Sequence, residues 1–280
     1  YLKKAGYYCT NNSKTDYNLD GKNAGWDESS GKAHYRNRPK GAPFFAIFND
    51  TTTHESRVHP SRHTVPLGAD PQKVRVPAYM PDTETSRKSI ATYYNRIEVM
   101  DQNVGKRLKE LEEAGLADDT IVFYYSDHGG VMPRSKRFVY DSGTRVPLVV
   151  HFPKKWEHLS SFKSGTRTDE VAGFIDLAPT LLSLAGVKIP KHMQGRALFG
   201  DQRRAPENEY AYLFRARADE RNDFKRAVVD GRYRYIRNYL PYLPSGQHLD
   251  YLWDNPATEE CSPAMRDCAN LRFQVGLQHV

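Results

Sequence analysis

One stretch of the chain joins a strand-forming run directly to a polar, glycine-containing turn, TIVFYYSDHGG at residues 120–130. Its first part, residues 120–126, is rich in β-branched and aromatic side chains, which favours a central β-strand. In open α/β sheets, ligands bind at the carboxyl ends of the strands, so Asp127 and His128 stand where chemistry is expected. The two glycines behind them allow the backbone to turn and to approach a ligand closely.

The segments on either side of this strand alternate between helix and strand. Before it, residues 84–114 carry apolar side chains at three- and four-residue steps, which predicts a long helix capped by Asp82 or Thr83. After it, residues 146–152 (VPLVVHF) predict another strand. This order predicts an α/β protein in which helices cover the sheet.

Two further features complete the predicted organisation. Residues 43–50 (PFFAIFND) indicate a buried strand that leads into TTTHE, so His54 reaches the same sheet edge if the two strands are parallel. Residues 225–238 alternate around an Asp-Gly pair, which predicts a β-hairpin. Because antiparallel signals replace the helix–strand alternation there, we predict a main domain at residues 1–204 and a smaller C-terminal subdomain at 205–280.

Composition limits the classes of function. The 280 residues carry 41 Lys and Arg against 34 Asp and Glu, and 39% are hydrophobic, which is typical of a globular protein. No run approaches the roughly 18 apolar residues that a membrane span needs. Three cysteines are too few and too scattered for a disulfide framework or a Cys-based zinc site. The net charge of +7 suits an acidic partner, and a solvated basic surface is the alternative.

Taken together, these motifs resemble the type I, formylglycine-dependent sulfatases of the alkaline phosphatase superfamily. The resemblance covers nearly the whole chain in order, through AGYYCTNNSKTDYN at 5–18, PFFAIFNDTTTHES at 43–56, the segment from YYNRIEVMDQ to SDHG at 93–129, KRFVYDSGTRVPLVV at 136–150, IDLAPTLLSLAG at 175–186 and GRYRYIRN at 231–238. It implies an alkaline-phosphatase-like mixed sheet flanked by helices, followed by a smaller antiparallel subdomain. Both predicted domains would then be parts of larger ones.

The resemblance also implies a chemistry, the hydrolysis of sulfate esters such as those of a sulfated polysaccharide. Cleavage moves negative charge onto the leaving oxygen, so the site must clamp the sulfuryl oxygens and protonate or stabilise the leaving group. By resemblance, Lys14 and Lys136 are the clamps and His54 is the general acid. Asp127 and His128 are the ligands of one divalent metal, with calcium the usual ion of the family.

Several of these residues have a second interpretation. Lys14 also suits a surface lysine in a Tyr- and Asn-rich turn, and Lys136 also suits a solvated basic loop. Because calcium prefers oxygen ligands, His128 could instead bond the sulfate directly. Asp16, which stands where many relatives carry a histidine, and His248, from the second subdomain, are predicted to contact the substrate.

The family's nucleophile is a formylglycine made from a cysteine or serine in a C/S-x-P-x-R context, which this sequence lacks. The one Pro-Ser-Arg, at residues 60–62, has Val58 where the nucleophile would stand. We therefore expect the formylglycine, and a pair of metal-binding aspartates, upstream of residue 1, and we expect the 280 residues alone to be inactive. The family further implies a periplasmic, extracellular or lysosomal protein whose partner is a sulfated carbohydrate or another sulfate ester, with no nucleic acid.

Two other functions stay open from the sequence. One is a phosphatase or phosphonate hydrolase of the same superfamily, although two lysine clamps favour sulfate and a phosphoester site favours more metal ligands. The other is a non-catalytic domain that binds anionic glycans through its basic surface.

Overall fold

A computed structural model describes residues 1–17, 25–62, 68–206, 210–244, 246–261 and 278–279. Its strands and longer helices follow in chain order as β1 (Tyr8–Asn12), β2 (Glu28–Ser29), β3 (Phe44–Phe48), α1 (Glu84–Glu113), β4 (Val122–Tyr125), α2 (Asp141–Thr144), β5 (Leu148–His151), α3 (Leu177–Leu184), β6 (Ala211–Ala218), β7 (Arg221–Val229), β8 (Tyr233–Asn238), α4 (Asp250–Trp253) and β9 (Gln278–His279). Parallel and antiparallel sheets occur together with helices, which confirms the predicted α/β class.

The chain forms two compact units, each built from several segments. The first consists of Tyr1–Thr51, Trp156–Arg167 and Ala172–Glu207. The second consists of Thr52–Lys155, Thr168–Val171 and Asn208–Val280. The division into residues 1–204 and 205–280 stays a prediction.

A parallel three-stranded sheet, in the order β2-β1-β3, lies in the first unit. β1 and β3 pair along their whole length, from Tyr8 opposite Phe44 to Asn12 opposite Phe48. The buried ring of Tyr35 stacks on Phe44 with 4.8 Å between the ring centroids. The apolar run predicted as a strand at 43–50 therefore forms β3 and packs through its aromatic side chains.

The long helix α1, in the second unit, spans the predicted segment almost residue for residue. Thr83 caps it, because its Oγ1 accepts a hydrogen bond from the backbone N–H of Ser86 at 3.2 Å. Ile90 packs in a core with Val58 and Val131, which joins the helix to the loops that follow β3 and β4. Among the described residues, no helix has the length and the apolar character that crossing a bilayer requires.

The predicted apolar stripe of α1 is buried only in part. Tyr94, Ile97 and Leu108 are exposed, whereas Ile90 and Leu111 are buried. The described part of the chain thus covers the two ends of the stripe and leaves its middle uncovered.

β4 and β5 form an antiparallel pair. His54 and Asp127 were expected at one sheet edge if β3 and β4 were parallel; among the described strands, β3 pairs within the parallel sheet and β4 pairs with β5, and the shared edge stays a prediction. A long loop with only the one-turn helix α2 joins β4 to β5, so no crossover helix of the kind usual between parallel strands lies between them. Leu148 and Val149 of β5 are exposed, although this apolar run has the length of a buried strand.

A second antiparallel sheet, in the order β6-β7-β8-β9, also lies in the second unit. β7 and β8 pair on either side of the Asp230-Gly231 turn, which confirms the predicted hairpin. Asp230 Oδ1 accepts a hydrogen bond from the backbone N–H of Arg232 at 2.7 Å and so closes the turn. Within the sheet, the buried Asp223 carboxylate lies 2.8 Å from Lys225 Nζ and 3.1 Å from Arg215 Nη1.

Candidate active site

His54 precedes a single 3₁₀ turn, Glu55–Arg57, in the second unit. Its Nδ1 accepts a hydrogen bond from the backbone N–H of Ser56 at 3.3 Å and lies 3.0 Å from the Ser56 hydroxyl. A ring nitrogen that accepts from an N–H group carries no proton, so the neutral ring holds its hydrogen on Nε2. The turn therefore presents Nε2 of His54 as a hydrogen-bond donor.

Glu55, the residue after His54, is fully buried. Nη1 of Arg137 donates hydrogen bonds to both of its carboxylate oxygens, at 2.7 and 2.9 Å. Nζ of Lys136 lies 3.7 Å from the same carboxylate. Because a buried carboxylate is very unfavourable without positive partners, these two cations tie the loop of His54 to the loop of Lys136.

Arg137 is itself buried between two carboxylates. Its Nη1 contacts Glu55, and its Nε pairs with Asp219 in the turn between β6 and β7. Burial alone would lower the pKa of the guanidinium, but the hydrogen bonds and charges of Glu55 and Asp219 outweigh it and raise the pKa above its ordinary value. Arg137 therefore carries its charge into the interior.

Arg137 and Asp219 also line a cleft of about 500 Å³. Its lining combines three basic groups, four carboxylates and one phenol, contributed by His54, Lys136, Arg137, Asp219, Glu220, Asp250, Asp254 and Tyr251. The Tyr251 ring lies 6.2 Å from the His54 ring and 5.9 Å from the Arg137 guanidinium carbon. The lining thus offers basic groups that suit an anion and carboxylates that can accept hydrogen bonds from hydroxyl groups.

Close backbone contacts hold the loop that carries Lys136. The N–H of Gly129 donates to the carbonyl of Gly143 at 3.0 Å, and the N–H of Lys136 donates to the carbonyl of Gly130 at 3.0 Å. A Cβ atom at Gly143 would overlap the carbonyl oxygens of Ser135 and Phe138. A glycine is therefore required at position 143 for the two ends of this loop to approach each other.

Arg234, in β8, also holds the loop that carries Lys136. This role of Arg234 was not predicted from the sequence. Its buried guanidinium donates to the carbonyl of Val139 at 2.6 Å and to the hydroxyl of Thr144 at 2.9 Å. Nη2 lies 3.2 Å from the carboxylate of Asp141. Burial lowers the pKa of this guanidinium despite the nearby carboxylate.

Asp127 and His128 follow the end of β4, as predicted. His128 Nε2 lies 3.7 Å from Asp127 Oδ1, and His128 Nδ1 lies 2.7 Å from the carbonyl oxygen of Gly129. Calcium binds its oxygen ligands at roughly 2.3–2.6 Å, so two ligands of one ion lie within about 5 Å of each other, as these two do. Calcium takes about 6–8 ligands, so this pair fits as part of a coordination shell and does not complete one.

A second group of possible metal ligands lies in the second unit, formed by Glu220, His248 and Asp250, whose ligand atoms are all within 4.8 Å of one another. Hydrogen bonds from its own backbone N–H and from that of Asp250 lower the pKa of Glu220. His248 lines a neighbouring cleft of about 470 Å³, and Asp250 and Asp254 line both clefts. The predicted substrate residue His248 therefore lies beside the cleft of His54, and its Nδ1 is 3.1 Å from Asp250.

Lys14 and Asp16 follow β1 in the first unit. Lys14 Nζ lies 3.0 Å from Asp16 Oδ2, and both side chains are exposed. The side-chain amide of Asn11, which is buried, donates to the carbonyl of Lys14 at 2.7 Å. The two predicted residues thus form an ion pair with each other, on a turn that Asn11 holds.

The sequence did not reveal Glu55, Arg137 or the carboxylates that line the cleft. The sequence does contain one signal for them, because Glu55 directly follows His54 and Arg137 directly follows Lys136. Their pairing spans 82 positions, so no local pattern identifies it.

The fold and the cleft define an α/β protein whose loops bring an imidazole and two cations to one cleft. The chain belongs to the sulfatase family, since residues 5–187 match the Sulfatase family and residues 132–251 match the C-terminal region of N-sulphoglucosamine sulphohydrolase. This match confirms the resemblance seen in the sequence.

Curated relatives agree with this assignment. An ulvan-active sulfatase of Formosa agariphila is 40% identical over 93% of this chain and 48% of its own length. The human N-sulphoglucosamine sulphohydrolase is 34% identical over 49% of this chain and 26% of its own length. The chain therefore spans about half the length of the first relative and about a quarter of the second.

A solved structure supports the fold. It is described as a complex with its substrate D-glucosamine-2-N,6-O-disulfate, and it matches 96% of this chain and 79% of its own with a TM-score of 0.64. At 18% identity, this likeness concerns the fold alone.

Replacing Gly143 tests the packing of the Lys136 loop. Gly143→Ala should destabilise the second unit by about 1–3 kcal/mol, because the new methyl group overlaps fixed backbone atoms. Urea unfolding measures the loss, and Gly105→Ala is the control, since no atom lies within 4 Å of a Cβ built there. Equal stability of Gly143→Ala and the parent protein would contradict the packing described here.

Proposed function

We propose that this chain is part of a sulfatase that hydrolyses sulfate esters of a sulfated polysaccharide. The observation that carries the proposal is the cleft in which His54, Lys136 and Arg137 meet. A sulfate ester has an anionic end and, on a sugar, a hydroxyl-rich remainder. The basic groups and the carboxylates that line the cleft suit these two parts.

The proposed roles follow from the charges that develop during cleavage. Lys136 holds sulfuryl oxygens as a compact ammonium donor, and Lys14, by resemblance to the family, is the second clamp. His54, as the imidazolium with Nδ1 donating to the Ser56 hydroxyl, gives its Nε2 proton to the leaving oxygen and becomes the neutral ring. Asp16 and His248 are proposed as contacts to the remainder of the substrate.

Asp127 and His128 would hold one divalent metal ion, which we propose to be calcium. When bound, the metal supplies positive charge that polarises a sulfuryl oxygen. The nucleophile is proposed to be a formylglycine in the longer protein, supplied by a part of it other than this chain.

The names of the curated relatives favour a sulfatase over a phosphatase, a phosphonate hydrolase or a non-catalytic glycan-binding domain. One relative is named for activity on ulvan, and another for action on N-sulphoglucosamine. We accordingly propose a sulfated carbohydrate as the substrate and a periplasmic, extracellular or lysosomal location.

Removing the proposed clamp tests the reaction directly. In the full-length protein, Lys136→Ala should lower kcat/KM for a chromogenic aryl sulfate by about 10²–10³-fold, as the loss of one donor to a developing oxyanion does. The matched control is Lys155→Ala, because Lys155 forms an exposed pair with Asp119 at 2.6 Å and should not affect turnover. Unchanged hydrolysis by Lys136→Ala would remove this lysine from the mechanism.

Removing the metal tests the proposed ligands. Treatment of the full-length protein with a chelator should abolish sulfate-ester hydrolysis, and added calcium should restore it. In Asp127→Asn, which loses a charged ligand, more calcium should be needed for the same recovery. Activity that is indifferent to the chelator would argue against Asp127 and His128 as metal ligands.

A further inference from the structure

We propose that the buried ion pair between Glu55 and Arg137 positions the two reacting side chains, His54 and Lys136. This inference rests on the proposed function. Glu55 follows His54 and Arg137 follows Lys136, so each member of the pair is covalently next to one of these groups. A bond between the inner residues therefore sets the separation of the outer ones.

The geometry of the pair is specific. One guanidinium nitrogen of Arg137 donates to both oxygens of Glu55, and the Lys136 ammonium approaches the same carboxylate at 3.7 Å. The Glu55 side chain has no exposed surface, so water does not weaken these contacts. Lys136, whose side chain is 23% exposed, thus lines the cleft with its ammonium group held near the buried Glu55 carboxylate.

The net contribution of such a pair to the free energy of unfolding does not explain its presence. Desolvating two ions costs about as much as their attraction returns, and apolar residues of the same size often serve stability equally well. Orientation is a gain that an apolar pair cannot provide, because only charged, hydrogen-bonded groups fix both distance and direction.

The backbone supports the same interpretation. Among the described residues, positive φ angles outside glycine occur at Arg134 (65°), Arg137 (79°) and Asp219 (51°). Two of these flank Lys136, and the third is the second carboxylate that Arg137 contacts. Left-handed backbone is unfavourable for side chains with a Cβ, so the ion pairs hold the Lys136 loop in a conformation that it would otherwise avoid.

Arginine suits this position better than lysine. The planar guanidinium contacts Glu55 through Nη1 and Asp219 through Nε, so it joins two carboxylates from different loops. An ammonium group is a point charge and cannot hold both in fixed directions. Arg137→Lys should therefore keep the charge and lose the positioning.

The test uses Glu55→Gln and Arg137→Lys in the full-length protein. Each should lower kcat for an aryl sulfate by roughly 10- to 100-fold with a smaller change in KM, as misplaced reacting groups do. In a Lys136→Ala background, Glu55→Gln should cause a smaller further loss, because only His54 remains of the two groups that the ion pair positions. Asn95→Ala is the stability control, since buried Asn95 accepts hydrogen bonds from two backbone N–H groups, Gly68 and Ala69, away from the cleft.

The outcomes separate this inference from the proposed function. Folded Glu55→Gln with the parent kcat, or with equal losses in both backgrounds, would overturn the positioning role. If Glu55→Gln does not fold, Asp219→Asn replaces it, and a folded Asp219→Asn with the parent kcat would count against the inference. If the parent protein hydrolyses no sulfate ester, the proposed function fails. A crystal structure of Glu55→Gln then tests the positioning role by itself. Displaced His54 and Lys136 side chains would support that role, and unmoved ones would overturn it.

Discussion

The site in the second unit depends on one buried carboxylate. Glu55 has no exposed surface, and Arg137 and Lys136 supply the positive charge that makes its burial tolerable. Removing one member of a buried pair typically costs about 3–5 kcal/mol, so the loops of His54 and Lys136 cannot separate without a large loss. Because Asp219 also binds Arg137, the turn between β6 and β7 is held at the same point.

Loops, and not strand ends alone, build the cleft. Gly143 permits the Lys136 loop to fold back on itself, and Arg234 fixes its other side through the carbonyl of Val139. Arg234 belongs to β8, so the antiparallel sheet of the second unit contacts this loop directly. The cleft thus forms where charged side chains from separate loops meet beside α4.

Much of the fold was predictable because it depends on local patterns. The three- and four-residue spacing of apolar side chains identified α1, and alternation around Asp230 identified the hairpin. His54 and Lys136 were identified by resemblance to the family, and the cleft contains both. The antiparallel pairing of β4 with β5 and the ion pair of Glu55 were not predicted, since each depends on which distant segments meet in three dimensions.

A crystal structure of the full-length protein with bound sulfate tests whether His54 and Lys136 converge on one small tetrahedral anion. Sulfate oxygens should lie within about 3 Å of Lys136 Nζ and His54 Nε2 in the cleft. A sulfate ion bound elsewhere, with His54 and Lys136 facing unrelated surfaces, would contradict this convergence.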